Sequence, residues 1–302
     1  MREKVNGFVG VMAVAILCMV SGLCMVWGIA PVVLAVYVAA CAVCGRYMIT
    51  CIGCAAGVAA GSMGIAGLLH AYEYMIPGPV YSGVMVTEKY LVLLGLAMCL
   101  MKIVYSRNSR SYVRVIVVMS AAVLMGNIVV YADNMLMAAA YGVVEAAIFM
   151  CASVILKPGI GLLYTYICGD ASDVERDESW NISQGIVSLM ALAAVVLWVV
   201  PGEDIYGVNP AFMLALVLIL YAVYRTGAVY GCGMAAVAGS IVSVKLNDSR
   251  WLMWMLLVTL VMLIGRALTG RRKVSASLFY VLGCVLASVA DGTVLWNGSG
   301  RE

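Results

Sequence analysis

Glu145 stands in the middle of an apolar run, YGVVEAAIF. A carboxylate in hydrocarbon costs at least about 2.5 kcal/mol, so it must face other helices and find a partner there. Such a group can serve a proton or ion pathway, or it can tie helices together. One carboxylate alone is thin support for a pathway, and a structural or coupling role is the expectation. Arg46, Arg225 and Arg266 stand near the ends of three apolar runs. Their long stems can carry the charge back to the interface. Cys41-x-x-Cys44 and Cys51-x-x-Cys54 have the spacing of two zinc knuckles. Both pairs lie on apolar segments, where cysteine packs as a small hydrophobe, so a four-thiolate site is the minor reading. His70, the single histidine, fits an interfacial position better than a ligand. No serine, histidine and acid set, no phosphate loop and no two-metal acid cluster is present. No catalytic residue and no cofactor is therefore expected.

The elements that carry these residues are set by composition. The 302 residues are 65% hydrophobic and only 11% charged. Soluble domains run near half apolar and a quarter charged. No water-soluble fold hides so much apolar surface, and lipid is the expected solvent. Most of the eleven cysteines fall in apolar runs and do not report a redox compartment.

A span needs about 20 apolar residues. Candidate spans are 8–27, 31–45, 47–70, 89–105, 113–131, 134–156, 182–200, 209–224, 227–246, 251–268 and 274–290. The expected fold is all-α, a polytopic bundle of about 10–11 transmembrane helices. Residues 1–156 form a first membrane half of about six spans. A cytoplasmic acidic linker, 157–181, holds the acid-rich strip Asp170–Glu178. Residues 182–302 form a second half of about five spans. Lys and Arg mark cytoplasmic turns. Arg2, Lys4, Arg46, Arg107, Arg110, Arg114, Arg271, Arg272 and Lys273 then place the N-terminus inside.

The two halves share an ordered series of features. Gly28-Ile29-Ala30-Pro31 resembles Gly207-Val208-Asn209-Pro210, and an Arg follows fifteen residues beyond each Pro. Then come GCAAGVAAGS (53–62) and GCGMAAVAGS (231–240), each followed by an apolar span and a basic turn. This order predicts a parallel duplication of about 30–130 and 209–290. Gly53, Gly57 and Gly61 line one helix face, as do Gly227 and Gly231, with Gly239 further along. Small faces at this spacing let helix backbones approach closely. Packing inside the bundle is the main reading and a dimer face the lesser one.

The Pro-containing second span, the acid in VVEAAIF and the acidic linker before WNISQGIVSLMALAA resemble the membrane domain of stage II sporulation protein E. The stretch GAVYGCGMAAVAGSIVSV, followed by WLMWMLLVTLVMLIGRAL, a basic turn and SASLFYVLGCVLAS, adds to the likeness. That family couples its membrane region to a PP2C-type serine phosphatase at the asymmetric division septum. The resemblance implies a non-enzymatic anchor in the cell membrane, with the phosphatase absent from this chain and one final span missing. It also implies self-association and contact with cell-division and sporulation proteins, but no nucleic acid. The alternative is a secondary transporter of a small solute or ion, resting on Glu145 and the repeat.

Overall fold

A chain this apolar must satisfy its backbone within each segment, and helices do so. The computed structural model describes residues 2–23, 31–63, 83–105, 109–131, 134–168, 182–200, 209–225, 227–269 and 278–286. They are helices and short turns, with no strand among the described residues. The helices are α1 (Arg2–Leu23), α2 (Pro31–Cys44), α3 (Tyr47–Met63), α4 (Gly83–Ile103), α5 (Ser109–Val130), α6 (Met135–Cys168), α7 (Ile182–Val199), α8 (Pro210–Arg225), α9 (Ala228–Leu246) and α10 (Arg250–Thr269). Residues 278–286 form α11.

Local chemistry sets several ends. Pro31 and Pro210 open α2 and α8, where a missing N–H is harmless. Asn209 Oδ1 accepts the Phe212 N–H at 2.9 Å, and Asn134 Oδ1 accepts the Met137 N–H at 3.2 Å. Gly45 ends α2 at φ 63, a left-handed conformation that suits glycine. Its N–H donates to the Cys41 carbonyl at 2.9 Å. Asn247 ends α9 in the same region, and the Asp248 N–H reaches back to the Ser243 carbonyl at 3.0 Å.

Four helical stretches are long and apolar enough to cross a bilayer: Arg110–Val130, Met135–Ile167, Ala228–Leu246 and Arg250–Leu268. They point to a membrane protein. Five of the other expected spans are shorter apolar helices over the described residues: Val9–Leu23, Pro31–Cys44, Tyr47–Gly61, Gln184–Val199 and Pro210–Tyr224. The case of α2 is instructive. At 14 residues it is about 21 Å long, short of a ~30 Å hydrocarbon core. It is apolar all round, and Val33 through Cys41 are completely buried. Its neighbours, and not lipid, take up its apolar surface.

The expected linker, 157–181, begins within a helix. α6 continues to Cys168, so residues 157–168 are helical, with Pro158 inside the helix. At 34 residues α6 runs for about 50 Å, well beyond one bilayer core. Residues 169–181, including the acid-rich strip, lie outside the described residues, as do His70 and the Arg225 side chain.

The chain forms two compact units, Met1–Val199 and Val200–Glu302. In the first, α2 is surrounded by α1, α3, α4 and α6. The α5–α6 hairpin packs on α4, and α7 packs on α6 and α1. Thus α7, assigned from sequence to the second half, packs with the first unit's helices. In the second unit α9 packs between α8 and α10, and Gly265 and Gly283 bring α10 and α11 together against Phe279 and Val258.

Candidate functional site: a buried charge cluster between three helices

In the α5–α6 hairpin, Tyr131 stacks on Tyr141 with ring centroids 5.3 Å apart. A turn deeper on each helix, Asn127 faces Glu145. The α4 helix begins at Gly83, which carries Lys89 well inside the helix and into the same place. Lys89 Nζ lies 2.9 Å from Glu145 Oε2, and donates to Asn127 Oδ1 at 3.1 Å. Asn127 Nδ2 donates to Glu145 Oε2 at 2.7 Å and to the Val123 carbonyl at 3.2 Å. The Lys89 ammonium also lies 4.6 Å from the Tyr90 ring centroid. The Lys89 and Glu145 side chains are 4% and 9% exposed, and Asn127 is fully buried.

Each member answers a cost of another. A lone ammonium or carboxylate out of water is costly, and an ion pair recovers much of that cost when hydrogen bonds saturate it. Asn127 does this with both ends of its amide, accepting from the lysine and donating to the glutamate. The expected partner of Glu145 is therefore Lys89, with Asn127 as arbiter. Sequence reasoning missed both. Lys89 lies at the edge of its apolar run and reads as a flanking charge until the helix start at Gly83 is known.

Further along the buried face of α6 the chemistry changes. Phe149 is fully buried, and the next polar side chain on that face is Ser153, eight residues or about 12 Å from Glu145. Met119 and Val123 of α5 and Ala97 of α4 are likewise buried without exposure. The charge cluster is closed off by apolar packing on this side.

The other residues singled out from the sequence have separate places. Gly53 and Gly57 pack on α1. A methyl group on Gly53 would lie 2.7 Å from the Ala15 carbonyl oxygen, and one on Gly57 would collide with the Met19 carbonyl oxygen. Gly61 approaches the Gly22 carbonyl oxygen in the same crossing. These glycines pack inside the first unit. Gly231 packs against Val223 of α8, and Gly239 against Leu252 of α10. Gly227 adopts φ 111 beside the Arg266 guanidinium. Arg266 Nη1 donates to the Val223 carbonyl near the end of α8. It thus caps a helix terminus where carbonyls lack partners. Arg46 is exposed in the α2–α3 turn.

The cysteine knuckles do not converge as a metal centre. Cys41 Sγ lies 3.2 Å from Thr50 Oγ1, and Cys54 Sγ donates to the Val33 carbonyl at 3.9 Å. Cys44 and Cys51 are partly exposed. No group of three or more His, Cys, Asp and Glu side chains able to hold a metal occurs among the described residues. Lys245 was also missed from sequence. It is buried and donates to the Val200 carbonyl in the second unit.

No family model matches the chain, and no curated protein and no solved structure is significantly similar to it.

Proposed function

We propose that this chain is a non-catalytic, multi-span membrane anchor and assembly domain. The observation that carries this reading is the Lys89–Asn127–Glu145 cluster, in which the mid-span acid is neutralised and saturated by side chains of two other helices. A charge used this way holds α4, α5 and α6 in one arrangement. The close α1–α3 approach through Gly53 and Gly57 serves the same end by a different route.

The resemblance to the membrane domain of stage II sporulation protein E gives the anchor its cargo. In this reading it holds and clusters a cytoplasmic serine phosphatase at the asymmetric septum, in support of sigma-factor activation. The chain crosses the cell membrane 10–11 times with its N-terminus inside, in two parallel repeats. The paired helix starts at Pro31 and Pro210 support the repeat.

The test is a fluorescent fusion of the full chain, imaged in an endospore-forming cell during septation. Enrichment at the asymmetric septum and recovery as oligomers are expected. Even distribution over the whole membrane, with a monomer in detergent, would sink the reading. Transport is the second reading, because Glu145 is an intramembrane acid. Solute uptake by proteoliposomes that is lost in Glu145→Gln would establish it in place of the anchor.

A further inference from the structure

Two tyrosines gather the ends of α2, α4 and α5 against the middle of α6 in the first unit. Tyr105, just beyond α4, donates its hydroxyl to the Ala42 carbonyl near the end of α2 at 3.2 Å. Its ring meets Tyr112 of α5 edge-on, with centroids 6.4 Å apart. Tyr112 donates to the Ser153 carbonyl of α6 at 2.7 Å. The Lys157 ammonium of α6 lies 4.6 Å from the centroid of the Tyr112 ring. Both hydroxyls are thus spent on backbone, and the rings serve as a fixed platform with a cation on its face.

Charge of one sign surrounds this platform. Arg46 follows Ala42 by four residues, Lys102 precedes Tyr105 by three, and Arg110 and Arg114 flank Tyr112 by two on either side. All four are exposed. The described stretches 42–46, 100–105, 109–114 and 153–168 hold no Asp or Glu. Bare apolar surface lies directly beside the cations: Ile103 is 81% exposed and Val113 56% exposed. The α5 helix is membrane-length and Tyr112 stands in its first turn, so an interfacial position for this cluster is part of the proposal below.

We propose that these helix ends form a binding site for the phosphate headgroup of an anionic phospholipid. The arginines offer forked donors that match phosphate oxygens. Tyrosine platforms are at home at the membrane interface. The adjoining apolar surface suits acyl chains, which is what separates a lipid from an acidic peptide as occupant. The site does not depend on the anchor reading and would hold equally for a transporter.

The test uses the full chain in phosphatidylcholine vesicles with trace spin-labelled phosphatidylglycerol or phosphatidylcholine. The motionally restricted fraction gives their relative association. Each cation near an anionic surface contributes roughly fivefold in affinity. A clear preference for phosphatidylglycerol is expected, weakened by high salt. The variant R46Q/R110Q/R114Q should abolish it. Lys157→Gln, a milder change that guards against misfolding of the triple variant, should lower it by roughly fivefold. Equal association of the two lipids with the native chain would overturn the proposal. So would a preference that survives both variants, or tighter competition by a soluble acidic peptide than by phosphatidylglycerol.

Discussion

The two units place their buried cations and small residues differently. In the first, the buried Lys89 meets side chains of two other helices, Asn127 and Glu145. Its glycine-rich helix α3 packs on α1, a helix not adjacent to it in sequence. In the second, buried or half-buried cations go to backbone carbonyls: Arg266 to Val223 and Lys245 to Val200. Its glycine-rich helix α9 packs on its sequence neighbours α8 and α10. The same sequence device therefore fixes a distance of approach but not the partner. Both kinds of contact join distant segments, 56 residues apart for Lys89 and Glu145 and 43 for Arg266 and Val223, but only the first needs a matching side chain at each end.

The largest expected effect tests the first half of that contrast. Glu145→Leu or Lys89→Leu alone should destabilise the protein by about 3–5 kcal/mol, because each leaves a buried charge without its counter-charge. The double variant should recover most of the loss. Thermal unfolding in detergent of the two singles and the double gives the coupling directly. If the losses simply add, the two charges act independently and the contrast fails. Asn127→Leu should cost less, about 1–3 kcal/mol, since the ion pair remains while its hydrogen bonds are lost.

Next comes the glycine comparison. Gly57→Ala drives a methyl group into the Met19 backbone, and backbone cannot step aside as a side chain can. A loss of about 2–3 kcal/mol is expected by the same unfolding assay. Gly239→Ala meets the flexible Leu252 Cδ1 at 2.9 Å and the Leu252 Cα at 3.1 Å, a milder approach to backbone than at Gly57. About 1 kcal/mol should suffice there. Equal losses at the two positions would erase the distinction between them. Arg266→Gln removes the carbonyl cap of α8, for an expected loss of about 1 kcal/mol. No change in the first unit's thiol reactivity should accompany it.

How far these features are legible in sequence depends on how far apart their parts lie. An all-helical fold follows from composition alone, because lipid forbids open strands. That Glu145 needs a partner follows from the cost of a charge in hydrocarbon. Its identity does not, because 56 residues separate it from Lys89 and only packing brings them together. The length of α6 was hidden by Lys157-Pro158-Gly159, which reads as a break. The helix survives there in part because the freed Gly159 N–H finds Ser188 Oγ on α7 at 2.6 Å. The cysteine spacing left metal as a minor reading, and across the α2–α3 pair Cys41 meets Thr50 while Cys54 meets the Val33 carbonyl.

The smallest effect is expected in the second unit's α9–α10 turn, and its sign is fixed by charge. Arg250 binds Asp248 through side-chain and backbone hydrogen bonds, at 2.8 Å from Nε to Oδ2 and 2.9 Å from N to Oδ1. These hold the Asp248 carboxyl below the usual aspartate range. A folded-state value below the unfolded one gives stability that is complete above the ordinary aspartate range. It is lost as pH falls through the lowered value. The group is exposed and salt-screened, so only a slight acid-side drop in melting temperature should be traceable to it. Comparing native and Asp248→Asn melts from neutral pH down to about pH 3 reads that drop as a difference that shrinks with acid. A difference that instead grew with acid would mean the turn is held by something other than this carboxylate.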